Sequence, residues 1–310
     1  MKQLNRQQII SVLPDLDLIS AIEKGFIQYS KGNAVIPPVG ELLMEKGEVH
    51  IKYGYVKSED YYVVKIASGF YQNPKLELPS SNGLMLLFSQ HTGELVCSLF
   101  DEGHLTDIRT AVAGAICAKY LAPKCIFAIG IIGTGIQARL QAIYLKKVTS
   151  CRQIVVWGRN SYKLEAFRND MLANGFQVTI SDSVKQLAEQ ANLIVTTTPA
   201  NSAILKAPYI KPGTHITAVG SDTKEKQELD VNILAKANLV IADSIEQCLQ
   251  RGEIFHALEH GAIEKHRIIE LGNVIDDKQG RTKVNQITVA DLTGVAIQDI
   301  KIAEAVYLAC

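Results

Sequence analysis

The run CIFAIGIIGTGIQARLQA, residues 125–142, constrains the fold of this chain more than any other segment. An apolar, strand-like stretch leads into Gly133-Thr134-Gly135-Ile136-Gln137-Ala138 and then into a helical pattern. That is G-x-G-x-x-A in the strand, turn and helix order the pattern requires. The first glycine makes the tight turn, the second lets a pyrophosphate approach the backbone, and the small third residue lets helix pack on strand. The N–H groups opening the helix then face the phosphates. A glycine turn that serves packing alone is the competing reading, and the downstream texture weighs against it. QIVVWG, SYKLEAFRNDMLANG, QVTIS, LIVTTT and THITAVG alternate β-rich with helical runs. The fold class expected is therefore α/β, with a Rossmann doubly wound parallel sheet covered by helices on both faces.

The end of the next strand bears on which dinucleotide binds. An acid there would accept from a ribose 2′-OH, but QIVVW is followed by Gly158, Arg159, Asn160 and Ser161. A guanidinium with amide and hydroxyl neighbours suits a 2′-phosphate, so NADP(H) is favoured, with NAD(H) possible. Arg159 as a solvated loop residue is the alternative. Later strand ends supply Thr196 to Pro199, including Thr197 and Thr198, and then Gly220, Ser221 and Asp222. Ligands of open α/β sheets bind outside such ends. Asp222 reads equally as the N-cap of a helix.

Upstream, residues 4–31 carry a helical pattern broken near Pro14 and stopped at Gly32, residues 33–100 are strand-like, and residues 101–123 are helical again. Three cations stand among apolar neighbours: Lys52 in EVHIKYGY, Lys65 in YYVVKIASGF, and Arg109 in LTDIRTAVAGAICAKY. Alternation puts Lys65 with Val63 and Ala67 on one strand face, and a half-solvated face would welcome a lysine. Arg109 either keeps its head in water near a helix start or aims into a cleft.

Lysine and arginine balance aspartate and glutamate at 32 each, which leaves no bulk field for nucleic acid or an anionic membrane. A small-molecule partner is expected. At 310 residues the chain exceeds the roughly 250 at which single cores stop growing, so two domains are expected. The start, MKQLNRQQIISVLP, carries no secretory pattern, no run approaches a bilayer span, and the six cysteines show no metal spacing. A reducing, cytoplasmic setting follows as the expectation. The histidines form no metal-site motif, so no metal is expected.

Read together, VVKIASGFYQNP, LPSSNGLMLLFSQHTGEL, DEGHLTDIRTAVAGAICAKYLAP, GIIGTGIQA, AVGSDTKEKQELD and ITVADLTGVAIQDI make the chain resemble the ornithine cyclodeaminase/mu-crystallin family over nearly its whole length. That family includes alanine dehydrogenases and ketimine reductases. The resemblance implies a substrate-binding and dimerisation domain over residues 1–114 plus 292–310, a Rossmann NAD(P)-binding domain over 115–291, and a homodimer. It implies that Lys65 lies in the substrate cleft, holding a carboxylate or moving a proton, and that Arg109 grips the substrate carboxylate with its planar fork. It implies that Asp222 matches the acid acting at the imine stage of cyclodeamination, and that Thr110 reaches the cofactor. Relatives often carry an arginine after the early prolines; VIPPVGELL has Val39 and Gly40 there, and Lys52 is the candidate replacement.

The function so implied is NAD(P)-dependent oxidoreduction at the Cα–N bond of a small amino or imino acid. Reduction of a cyclic ketimine such as pyrroline-2-carboxylate heads the readings. Ornithine cyclodeamination to proline and ammonia, and a non-catalytic, crystallin-like ligand-binding role, are the alternatives.

Overall fold

The computed structural model describes residues 1–70 and 72–310, so Tyr71 of the YYVVKIASGFYQNP run lies outside the described residues. In chain order the elements are β1 (Lys2–Asn5), α1 (Arg6–Val12), α2 (Leu18–Ser30), β2 (Ala34–Val35), β3 (Gly40–Met44), β4 (Gly47–Val56), β5 (Tyr61–Gly69), β6 (Ser81–Ser89), β7 (Leu95–Phe100) and α3 (His104–Leu121). They continue with β8 (Ile129–Ile132), α4 (Ile136–Leu145), β9 (Gln153–Trp157), α5 (Ser161–Ala173), β10 (Gln177–Ile180), α6 (Val184–Gln190), β11 (Leu193–Thr196), β12 (Asn201–Leu205) and β13 (His215–Ala218). The last are β14 (Gln227–Leu229), α7 (Val231–Lys236), β15 (Leu239–Ala242), α8 (Ile245–Cys248), α9 (Gly252–Glu259), β16 (Ile268–Glu270), α10 (Leu271–Asp276), β17 (Thr288–Asp291) and α11 (Ala296–Ala309). The chain divides into two compact units, Met1–Arg109 with Val295–Cys310, and Thr110–Gly294. Among the described residues no helix is long and apolar enough to cross a membrane.

The first unit is built on a seven-stranded sheet of order β1-β7-β6-β5-β4-β2, with β3 paired to β4. β1 is parallel to β7 and the remaining pairs are antiparallel. The start of the expected 4–31 helix is corrected here: Leu4 and Asn5 belong to β1, because Lys2 to Asn5 find a pairing edge along Cys97 to Phe100. Asn5 then starts α1 through a capping box with Gln8, which satisfies orphan N–H groups of the first turn. The expected break near Pro14 is a single 3-10 turn, Leu13–Asp15, and Asp17 caps α2.

α11 packs against α2 and covers β4, β5 and β6. Ala296 to Ala303 are buried without a break, Gln298, Asp299 and Lys301 among them, as suits a helix set in a core. That cover reverses the expected polarity of β5. Lys65 is 2 % exposed beside Val63 on the covered face, while Ile66, Tyr53 and Tyr55 stand outward at 37 %, 39 % and 36 %. Strand alternation divides residues between two faces without saying which face is covered.

The second unit holds an eight-stranded parallel sheet of order β10-β9-β8-β11-β13-β17-β15-β16. Its central strands β8, β11, β13 and β17 are buried at every position, the signature of a sheet covered on both faces. From β8 the chain winds outward through β9 and β10, then crosses back to β11 and proceeds the other way. The reversal lies between β8 and β11, where doubly wound sheets open a crevice at their carboxyl ends. The α/β class with a parallel doubly wound sheet is thus realised. The late run IEQCLQRGEIFHALEHG forms two helices, α8 and α9, with Gly252 at φ +87° opening the second.

Candidate functional site

In the first unit β4 and β5 pair so that Lys52 lies directly opposite Lys65. Like charges facing each other across a sheet repel, and both side chains are buried, Lys52 at 9 % exposure. The compensating anion comes from α11. Asp299 sets Oδ2 at 2.9 Å from Lys65 Nζ and Oδ1 at 3.0 Å from Arg109 Nε, while Arg109 Nη1 donates to Gln298 Oε1 at 3.0 Å. Arg109 and Asp299 are buried as well. Each oxygen of Asp299 thus approaches one cation at hydrogen-bond distance, so charge and close contact act together.

Burial is the largest influence on Lys65 and lowers its pKa to about 7, with Arg109 and Lys52 pushing the same way and Asp299 opposing them. Burial alone would raise the Asp299 carboxyl, but Lys65, Arg109 and Lys52 together outweigh it and hold it below the usual carboxylate range. Asp299 thus stands against Lys65 and Arg109, with the charge of Lys52 acting on both Lys65 and Asp299. The arrangement suits a second carboxylate brought by a ligand, with an amine beside it able to gain or lose a proton near neutrality.

In the second unit the glycine loop joins β8 to α4 at the topological switch point. Gly133 has φ +125°, and a Cβ there would run into the Thr197 hydroxyl; only glycine fits. Gly135 is the N-cap of α4, and a Cβ built on it would meet nothing within 4 Å. Open space against helix N–H groups is what a pyrophosphate needs. Arg139 secures the loop from behind, donating to the carbonyls of Thr134 at 2.5 Å and Gly135 at 3.2 Å while its Nε pairs with Asp170 at 2.6 Å. Ile136, Gln137 and Ala138 form the first turn of α4, Ala138 fully buried.

Beyond β9, Arg159 and the Thr198–Ser202 segment line a cavity of about 270 Å³. Asn160 caps α5 by accepting from the Lys163 N–H, and Ser161 is the exposed first residue of that helix. No carboxylate stands at this strand end. The residues present therefore fit a dinucleotide, on the evidence of the open Gly135 cradle and the exposed guanidinium. Thr197 donates to the Ile132 carbonyl, and the Thr110 carbonyl accepts from Gln141.

Asp222 lies in the loop between β13 and β14 with no helix after it, so the N-cap alternative falls away. Its carboxylate, half exposed, pairs with Lys226 at 2.7 Å. Gly220 donates to Glu228, and Ser221 donates to the Lys226 carbonyl.

Sequence reasoning missed Asp299, Gln298 and Glu228. An available signal for the first two was the set of polar residues, Gln298, Asp299 and Lys301, inside the mainly apolar run GVAIQDIKIA. Charged side chains buried in such a setting need partners.

The ornithine cyclodeaminase/mu-crystallin family profile matches residues 3–309. An uncharacterized cyclodeaminase of Sinorhizobium fredii is 41 % identical over 99 % of this chain and 95 % of its own. The archaeal alanine dehydrogenase dimer with bound NAD superposes with a TM-score of 0.92 at 31 % identity, over 100 % of this chain and 95 % of that one. The Δ1-pyrroline-2-carboxylate reductase of Thermococcus litoralis, in complex with NADH and L-proline, gives 0.93 at 27 % identity over 100 % and 97 %. With the fold and motifs described above, the chain belongs to the ornithine cyclodeaminase/mu-crystallin family.

Proposed function

We propose that this protein is an NAD(P)-dependent oxidoreductase that reduces a small cyclic α-imino acid, such as pyrroline-2-carboxylate, to the amino acid. The observation that carries the reading is the buried group of Lys65, Arg109 and Lys52 gathered about Asp299. The reductase neighbour bound to NADH and L-proline supports the substrate class.

Arg109 and Lys52 hold the substrate carboxylate, the guanidinium by its planar donor pair. Lys65, protonated below about pH 7, keeps the imine nitrogen protonated and so draws charge from the carbon that is reduced. Asp299 orients Lys65 and Arg109 and keeps the lysine from losing its proton at still lower pH. The glycine loop and α4 would hold the dinucleotide pyrophosphate, and the cofactor when bound would supply hydride chemistry at the substrate Cα. Reduction in this scheme needs Lys65 charged, so kcat/KM for the imine falls as pH rises through about 7; the oxidative direction falls as pH drops through it.

Arg159 and the absence of an acid after β9 favour NADP(H) over NAD(H). The neighbours named above hold NAD or NADH, so cofactor choice is measured directly. The outward apolar face carrying Leu42, Met44, Tyr53 and Ile66 supports a homodimer.

Purified protein with pyrroline-2-carboxylate and either reduced cofactor should lose absorbance at 340 nm and form proline. Cyclodeamination, favoured by the Sinorhizobium relative's name, predicts instead ammonia and proline from ornithine without net cofactor change. Tight cofactor binding with neither reaction would leave the non-catalytic role.

A further inference from the structure

In the second unit one buried carboxylate ties two strand ends together. Glu228, at the centre of β14, is fully buried. Its Oε1 accepts from the Thr198 N–H at 2.6 Å and the Thr198 hydroxyl at 2.8 Å. Its Oε2 accepts from the Gly220 N–H at 2.8 Å and the Thr196 hydroxyl at 2.7 Å. Thr196 to Thr198 end β11, and Gly220 follows β13. These loops touch: a Cβ on Gly220 would collide with the Thr198 backbone and stand 2.6 Å from Glu228 Oε2. Glu228 is itself fixed. Its own N–H and that of Leu229 donate to the Glu253 carboxylate at 2.7 and 3.0 Å. The Ile254 N–H beside Glu253 donates to Asp291 at 2.8 Å.

In a doubly wound sheet the adenylate half of a dinucleotide lies over the glycine loop and the strands wound to one side of it, here β8, β9 and β10. The nicotinamide half crosses the switch point to the strands on the other side, here β11 and β13. The carboxylate therefore braces only the second half.

We infer that Glu228 is a positioning residue which sets the β11 and β13 loops at the spacing that the nicotinamide half of the cofactor requires, leaving the adenylate half to the glycine loop. This rests on the dinucleotide reading above. The donor count makes it testable with an isosteric change. Each Glu228 oxygen faces one backbone N–H, which cannot turn into an acceptor. In Glu228→Gln the amide NH2 must confront the Thr198 N–H or the Gly220 N–H, whichever way it flips. A buried donor facing a donor forces the loops apart.

The full-length protein is titrated with reduced dinucleotide and with ADP, following the emission of Trp157, the chain's single tryptophan, at about pH 8 so that carboxylates are charged. For Glu228→Gln the dinucleotide Kd is expected to rise about tenfold or more, with the ADP Kd within about twofold of wild type. Thr196→Val, which removes one hydroxyl donor at near-equal volume, should raise the dinucleotide Kd by a smaller factor with ADP again unchanged, and decides the matter if the glutamine variant does not fold. Equal losses for both ligands, or no loss for either, would overturn the assignment. A wild-type protein that binds ADP and no dinucleotide overturns the functional reading, and this inference with it.

Discussion

Asp299→Asn removes the negative charge set against Lys65 and Arg109 while keeping its shape. The carboxylate lies 2.9 Å from Lys65 Nζ and 3.0 Å from Arg109 Nε, and it is anionic across the assay range because its pKa sits below the ordinary one. An opposite charge at such a distance holds a titrating group up by about 1–3 units. Without it, Lys65 falls from about 7 to roughly 4–6. At about pH 7.5 the protonated fraction then drops from roughly a quarter to between about 0.03 and 0.0003. The loss in reductive kcat/KM from this effect alone is roughly 8- to 800-fold, recovered in part as the assay is made more acidic. Breaking a buried pair also costs about 3–5 kcal/mol of stability, so far-UV circular dichroism at the assay temperature must show a folded variant. The measurement is the pH profile of kcat/KM with the imine. A folded variant whose profile keeps its wild-type midpoint, or moves it upward, would refute the claim that Lys65 titrates under the control of Asp299.

Gly135→Ala should leave the thermal midpoint within about a degree, since its Cβ meets nothing and its φ of −83° is ordinary, yet weaken dinucleotide binding about tenfold or more by filling the pyrophosphate cradle; unchanged affinity would contradict that placement. Gly133→Ala should fail on both counts, because φ +125° costs a side chain about 1–3 kcal/mol, and thermal melts will separate the two. Arg159→Ser should cut any preference for NADP(H) over NAD(H) about tenfold or more, read as the ratio of kcat/KM values; an unaltered ratio returns Arg159 to a solvated loop role. Arg109→Lys keeps the charge and loses the fork that reaches both Asp299 and Gln298, so the substrate KM should rise about tenfold with a smaller change in kcat.

The legible parts of the sequence were those governed by local periodicity. The G-x-G-x-x-A loop and the alternating runs after it announced the parallel sheet, because a glycine turn between strand and helix and continuous apolar strands are written within a few residues of each other. Residues 4–31 were harder. A helical pattern covered Leu4 and Asn5, but a parallel edge on β7, more than 90 positions away in the chain, claimed them. Asp222 was ambiguous for a similar reason: an aspartate after a strand caps a helix only if a helix follows, and here β14 does.

Lys65 marks the boundary between the two kinds of information. The sequence by itself determined that Lys65 shares a strand face with Val63, since side chains alternate with period two. It could not determine that this face is the covered one. That depended on α11, which returns from the far end of the chain to lie over β4, β5 and β6 and brings Asp299 to 2.9 Å from the amine. Burial, a product of that return, lowers the lysine to about 7 with Arg109 and Lys52 pushing the same way, while Asp299, brought by the same helix, opposes them. Glu228 was set the same way, as its four donors come from segments separated in sequence and joined only when β11 and β13 lie side by side. Period and turn chemistry are local and can be read along the chain. The electrostatic environment of a buried charge is the sum over whatever the fold packs around it, and that sum exists only in three dimensions.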